Sequence, residues 1–128
     1  MRPARLGDAA WILELRNDRE SRRWSRDPTV IALEPYAAWF AEHVDEYHVQ
    51  RPTGYVRIEP DGRVSLIVGP QWRGRGRGLA LLTSALGTER YQAEIHRQHT
   101  ASLVTFLRAG FVPVRLKGDW LDVERAPK

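Results

Sequence analysis

Cysteine is missing from the 128 residues. That excludes a disulfide framework, a thiolate nucleophile and a zinc site built on sulfur. No apolar run approaches the length of a bilayer-crossing helix, and Met1-Arg2-Pro3-Ala4-Arg5 leads into no apolar segment of the signal-peptide kind. The expectation is a cytoplasmic protein that does not associate with membranes. There is no internal repeat and no linker-like tract, so residues 1–128 are expected to form one domain with a modest core. The signature of disorder is also absent: hydrophobic residues make up 42% and charged residues 28% of the chain, which is ordinary for a globular protein.

What is present is positive charge, with a formal net charge of +4 and a pI near 10.0. Nucleic acid, a membrane surface or a small polyanion could each use it. Its distribution narrows the choice. In Arg16-Asn17-Asp18-Arg19-Glu20 acids and bases alternate, whereas Arg73, Arg75 and Arg77 are separated only by glycines. The local excess lies on that one segment.

Asp8 is placed to cap a helix carrying Ala9, Ile12, Leu13 and Leu15, and the apolar pattern ends in the polar stretch from Arg16. A second helix starts near Pro35 and spaces Tyr36, Trp39, Phe40 and Val44 along one face. Residues 47–49 and 54–59 read as extended, and Pro60-Asp61-Gly62 is a turn before the strand 63–68, making a hairpin. After Pro70 comes the Gly/Arg loop, then a helix over Leu79, Leu81, Leu82 and Leu86 ending at Gly87. A strand over 92–96, a helix over 101–109 stopped by Gly110, and strands over 111–114 and 120–124 complete the order. The fold class is α/β of the α+β kind: a central mixed, mostly antiparallel sheet flanked by about four helices. Residues 16–34 could be loop or broken helix.

A strand that feeds a glycine-rich turn and opens a helix gathers backbone N–H groups at one end of a helix dipole, and anions bind there. Gln71-Trp72-Arg73-Gly74-Arg75-Gly76-Arg77-Gly78 has this form. It lacks the Lys-Ser/Thr of a P-loop, and its Gly-x-Gly-x-Gly is not the Gly-x-Gly-x-x-Gly of dinucleotide sites. A plain flexible turn or a disordered arginine–glycine nucleic-acid segment fits less well, because a β-rich strand and a leucine-rich helix flank it.

The segment resembles motif A of the GCN5-related N-acetyltransferase (GNAT) superfamily, in which Gln/Arg-x-x-Gly-x-Gly/Ala follows a strand ending in Val-x-Pro. Here Val68-Gly69-Pro70 and Gln71-x-x-Gly74-x-Gly76 supply both halves. His99 to Phe111 resembles a second motif, Asn-x-x-Ser-x-x-x-Tyr-x-x-x-Gly-Phe, with His99 and Phe106 at the Asn and Tyr places. The resemblance implies acetyl-CoA as cofactor. Its pyrophosphate would lie on the amides of Arg73, Gly74, Arg75, Gly76, Arg77 and Gly78 beside Gln71, and its pantetheine would pair with the backbone of Ile67 and Val68. His99, Ser102 and Phe106 would line the cofactor. The tyrosine that in the family commonly protonates the departing thiolate is replaced by Phe106, which can equally be a core residue.

Acylation needs a neutral amine. Deprotonating an alkylammonium of pKa about 10.4 at pH 7 costs roughly 4–5 kcal/mol, whereas an amine of pKa near 8 needs about 1.4 kcal/mol. Glu94 is the candidate base, Ser65 a second catalytic candidate, and Glu59 and His48 weaker ones; Glu94 can also simply pair with an arginine. Arg16-Asn17-Asp18, Trp39-Phe40 and Gly54 to Ile58 resemble the amino-sugar acetyltransferases of the pseudaminic acid pathway. That resemblance implies an amino-sugar nucleotide as acceptor, with Arg16, Asn17 and Arg57 binding it. The segments 42–54 and 87–92 are shorter than is usual in the family. With no cysteine, one-step attack by the amine in a ternary complex is the simplest course. Other readings are a protein N-terminus, a polyamine or an antibiotic as acceptor, a non-catalytic acyl-CoA sensor, or a basic nucleic-acid binder. The expected partner is a small-molecule amine rather than nucleic acid or membrane, and the chain is expected to be a monomer or homodimer. No metal is expected.

Overall fold

A computed structural model describes residues 1–128. Its elements, in chain order, are β1 (Arg2–Pro3), α1 (Ala9–Asn17), α2 (Arg19–Arg23), α3 (Leu33–His43), β2 (Tyr47–Gln50), β3 (Gly54–Ile58), β4 (Val64–Val68), α4 (Arg77–Ala85), β5 (Tyr91–His96), α5 (Thr100–Arg108), β6 (Val112–Lys117) and β7 (Trp120–Arg125). The expected helices and strands are all present. Strand β1 is an addition, and the five-residue α2 takes up the broken-helix alternative for residues 16–34, so five helices flank the sheets. Asp18 starts α2, its carboxylate accepting from the Ser21 N–H.

Asp8 does not cap α1 through its side chain. Its carboxylate accepts from the Arg5 N–H and from the guanidinium groups of Arg2 and Arg51, so it ties the chain start and the β2–β3 connection to the head of α1. These donors hold its carboxyl far below the usual carboxylate range, Arg2 contributing most.

The strands form two antiparallel sheets, ordered β1-β2-β3-β4 and β5-β7-β6. β4 and β5 run side by side in the same direction, joined by one parallel bridge, Arg63↔Gln92, in which the Gln92 N–H donates to the Gly62 carbonyl. Beyond that bridge the strands part, so the expected mixed sheet is split by a notch.

Two cores lie on opposite faces. On one, Val56, Val64, Leu81, Leu82, Tyr91, Ala93, Ile95, Phe106, Phe111 and Val123 pack α4 and α5 against both sheets. On the other, Ile12, Leu13, Tyr36, Phe40, Tyr47 and Tyr55 pack α1 and α3 against the first sheet. Each fully buried Leu or Phe contributes about 1.5–3 kcal/mol. The period-2 pattern of β5, with Tyr91, Ala93 and Ile95 buried, turns Gln92, Glu94 and His96 to the opposite face.

Candidate active site

The β3–β4 hairpin register decides which main-chain groups line the notch. The Glu59 N–H donates to the Arg63 carbonyl and the Gly69 N–H to the Thr53 carbonyl. Arg57↔Ser65 and Tyr55↔Ile67 therefore fall at hydrogen-bonded pairs of the antiparallel ladder. Ile67 spends its N–H and C=O on Tyr55, so the pairing expected of it falls to Leu66. Leu66 and Val68 turn theirs to the notch, where the Val68 carbonyl already accepts from Arg73 Nε at 3.0 Å.

Past β4, a 3-10 turn (Pro70–Trp72) leads to Gly74 and Gly76, with φ of +74° and +72°, and Gly76 caps α4. Left-handed conformations here suit glycine and curl the main chain so that successive N–H groups form a concave donor surface. The N–H groups of residues 73–79 have no partner within the protein, since the first bond of the helix is donated by Ala80, to the Gly76 carbonyl. Gly78 has a different reason to be glycine. A Cβ there would lie 3.2 Å from Leu66 Cδ2 and 3.3 Å from Thr105 Cγ2, so α4 sits on β4 and α5 at a distance that leaves no room for a side chain larger than a methyl group.

Above the notch lies a cleft of about 1230 Å³, walled by α2, β4, the glycine loop, β5 and α5 and extending over Tyr36, Trp39 and Tyr55. Ile67, Val68, Arg73, Gly74, Gly76, Arg77, Gly78, His99, Ser102 and Phe106 line it, as do Ser65, Glu94, Arg16 and Arg57. Gln71, Arg75 and Asn17 do not. Asn17 binds the Ile31 backbone through both ends of its amide, which pins the segment between α2 and α3. The Asn17 amide, expected to bind the acceptor, is engaged by these bonds outside the cleft lining.

The arginines of the loop differ in their surroundings. Arg73 reaches inward, bonding Asp18 and Ser21 of the α2 start as well as Val68. Arg75 and Arg77 lie over the Trp72 ring, at 5.8 and 5.4 Å from its centroid. Arg57 donates twice to Glu46, lies 3.6 Å from Glu59 and stacks 4.8 Å over Trp39.

Glu94 accepts from both Arg26 Nε and Arg26 Nη2, and Arg63 lies 3.2 Å away. The Arg26 hydrogen bond, chiefly, holds its carboxyl below the usual range. Trp24 was not anticipated. It stacks on His99, ring centroids 4.7 Å apart and 8° from parallel, and also meets His96. Burial pushes the His99 imidazole down to about 4, so it is neutral at pH 7. Phe106 is 3% exposed and meets Phe111 edge-on, so it is a core residue whose ring also reaches the cleft. A lone tryptophan within an arginine-rich stretch was the available signal for Trp24; the hairpin turn was the signal for Leu66.

No family model matches the chain, and no curated protein matches it in sequence. Solved structures do match. A ribosomal-protein-alanine N-acetyltransferase from Brucella melitensis superposes with a TM-score of 0.78 at 21% identity, over 98% of each chain. A GNAT superfamily phosphinothricin acetyltransferase from Sinorhizobium meliloti, in complex with acetyl-CoA, gives 0.74 at 23% identity over 98% of this chain and 86% of that one.

This chain has the GNAT fold.

A spermidine N-acetyltransferase from Vibrio cholerae superposes as well, with a TM-score of 0.72 at 15% identity over 98% and 93% of the two chains. These relatives act on chemically different amines, so the GNAT fold by itself does not choose an acceptor. No helix is long and apolar enough to cross a membrane.

Proposed function

We propose that the protein is an acetyl-CoA-dependent N-acetyltransferase. The observation that carries the reading is the run of unpartnered N–H groups from residue 73 to residue 79, at the start of α4 and beside the open edge of β4. A diphosphate matches such donors in charge and number, and an extended amide-bearing chain such as pantetheine matches a strand edge with free donors and acceptors at Leu66 and an N–H at Val68. The GNAT structure solved with acetyl-CoA supports the same assignment.

The chemistry is direct transfer. The amine nitrogen attacks the thioester carbonyl carbon, the C–N bond forms, the C–S bond breaks, and CoA leaves as thiolate. The Val68 N–H, on the notch edge, is placed to donate to the carbonyl oxygen as charge develops there. The proton lost by the amine passes to Glu94, directly or through Ser65 and water, once Arg26 has moved off the carboxylate. Phe106 supplies no proton to the thiolate, so water does.

The acceptor is a weakly basic amine, for which a depressed carboxylate suffices as base; an amino-sugar nucleotide meets that condition. Arg57 contributes to it through its stacking on Trp39, its charge being already balanced by Glu46 and Glu59. A second reading, a non-catalytic acyl-CoA sensor, is favoured by the ion-paired Glu94 and by Phe106.

Calorimetry decides the cofactor and thiol release decides the activity. Acetyl-CoA binds the wild type, and Gly76→Glu, which sets a carboxylate in the donor cradle, abolishes binding; equal affinity in the two would sink the assignment. Binding without thiol release across a panel of amines would select the sensor.

A further inference from the structure

The carboxylates lining the cleft are Glu20, Glu59 and Glu94, and each is already paired: Glu20 with Arg23 at 3.7 Å, Glu59 with Arg57 at 3.6 Å, Glu94 with Arg26 and Arg63. A polycationic acceptor would find no free acid here. Of the arginines on the α1–α3 side, Arg26 and Arg63 share the Glu94 carboxylate, and Arg57 pairs with Glu46 and Glu59, so each has an ion-pair partner.

Arg16 is the exception. At the end of α1, it gives Nη2 to the Asp27 carbonyl at 2.8 Å, while its Nη1 is buried and has no hydrogen-bond partner. A buried guanidinium nitrogen without an acceptor is costly unless a ligand or solvent completes it. Tyr55, in the same cleft, is 4% exposed; Tyr36 and Tyr47 bond each other at 3.2 Å and leave the Tyr55 hydroxyl without a partner. Burial raises that hydroxyl well above the usual phenol range while Arg16 and Arg57 oppose the shift, so it stays a donor at any working pH. Two donors thus share one wall, one of them on a guanidinium that makes no direct ion pair, the Asp27 carboxylate lying near it without contact.

We propose that the acceptor amine carries an oxyanion, a carboxylate or a phosphate, that seats on Arg16 Nη1 and the Tyr55 hydroxyl; this rests on the acetyltransferase reading and names its substrate class. Anionic amines are accepted, and polyamines and uncharged amines are rejected. A guanidinium bond to an oxyanion is charge-assisted, and its loss costs about tenfold or more in affinity.

The test uses the protein saturated with CoA, so that the loop at α4 is filled. Wild type, Arg16→Gln, Arg16→Lys and Tyr55→Phe are titrated with inorganic phosphate and with acetate, following tryptophan fluorescence, since Trp24 and Trp39 line the same cleft. The wild type responds saturably to at least one anion, about tenfold more weakly in Arg16→Gln, with part of the loss restored in Arg16→Lys and a smaller loss in Tyr55→Phe. A response to phosphate alone assigns a phosphate-bearing acceptor, and one to acetate alone a carboxylate. Thiol release is then compared for 2-aminoethyl phosphate against ethanolamine, glycine against glycinamide, and spermidine. The proposal is overturned if the wild type shows no saturable response, if Arg16→Gln responds equally, or if spermidine is acetylated faster than every anionic amine. Failure to bind CoA strikes the acetyltransferase reading instead, and the same titration without CoA still decides the Arg16 site.

Discussion

Gly76 and Gly78 are glycines for different reasons, and substitution separates them. At Gly76 nothing lies within 4 Å of a new Cβ, but φ is +72°; at Gly78 the backbone is helical and the obstruction is Leu66 and Thr105. A non-glycine residue in the left-handed region costs roughly 1–2 kcal/mol, and asparagine is the best tolerated. Gly76→Asn therefore lowers stability by less than about 1 kcal/mol, and Gly76→Val by about 2 or more. At position 78 the helix gains about 1 kcal/mol from Gly→Ala, offset by contacts at 3.2 and 3.3 Å that side-chain ends can relieve by a few tenths of an ångström, so Gly78→Ala is close to neutral. Gly78→Asn and Gly78→Val add atoms with nowhere to go, force α4 away from β4, and cost roughly 1–3 kcal/mol. Urea unfolding of the five variants reads the order directly. One kcal/mol corresponds to about 3–5 °C in Tm for a domain of this size. If asparagine proves as harmful at 76 as at 78, or valine harmless at 78, the assignment of backbone conformation to one and packing to the other is refuted.

Glu94→Gln lowers Tm at pH 7. Because the folded carboxyl titrates below its unfolded value, the stability it supplies is fully present above the unfolded carboxylate pKa and is lost as pH falls through the folded one; the wild-type and variant Tm values therefore converge in acid. Thermal scans between pH 3 and 7 check this, and a constant gap would contradict it. In an NMR titration His99 protonates near 4, and Trp24→Ala, by opening its stacked face to water, moves that midpoint up toward the ordinary histidine value. The same depression makes stability fall as pH drops through the interval between the ordinary histidine value and 4, since only the unfolded chain gains the proton there. Leu82→Ala, at a side chain with 0% exposure between α4 and the sheets, costs about 2–5 kcal/mol by denaturant unfolding.

The sequence showed most of the fold because the apolar spacing in α1, α3, α4 and β5 is local and strong. It showed the anion loop because glycine at Gly74 and Gly76 answers a backbone requirement that residue type alone reveals. It left α2 undecided between loop and broken helix, because that short polar turn has no buried face and is held by Asp18 and by side chains across the cleft. The site was legible as backbone and illegible as charge. Arg16, Arg57, Arg73 and Glu94 were all recognisable as chemistry-bearing residues. Yet which of them is spent depends on partners far off in sequence: Arg57 on Glu46, Arg73 on Asp18, Glu94 on Arg26, 68 residues away. The hairpin parity that moves the open edge from Ile67 to Leu66 follows from the single pair Glu59 and Arg63, which the turn Pro60-Asp61-Gly62 sets.

The donor run at the start of α4 is the center of the functional account, and amide chemical shifts observe it directly. In a ¹⁵N-labelled sample titrated with acetyl-CoA, the account predicts that the largest shifts and the strongest slowing of hydrogen exchange fall on the N–H groups of residues 73–79, with Leu66 and Val68 next. Binding that leaves those amides unmoved, or their unaltered exchange at saturating acetyl-CoA, would contradict it.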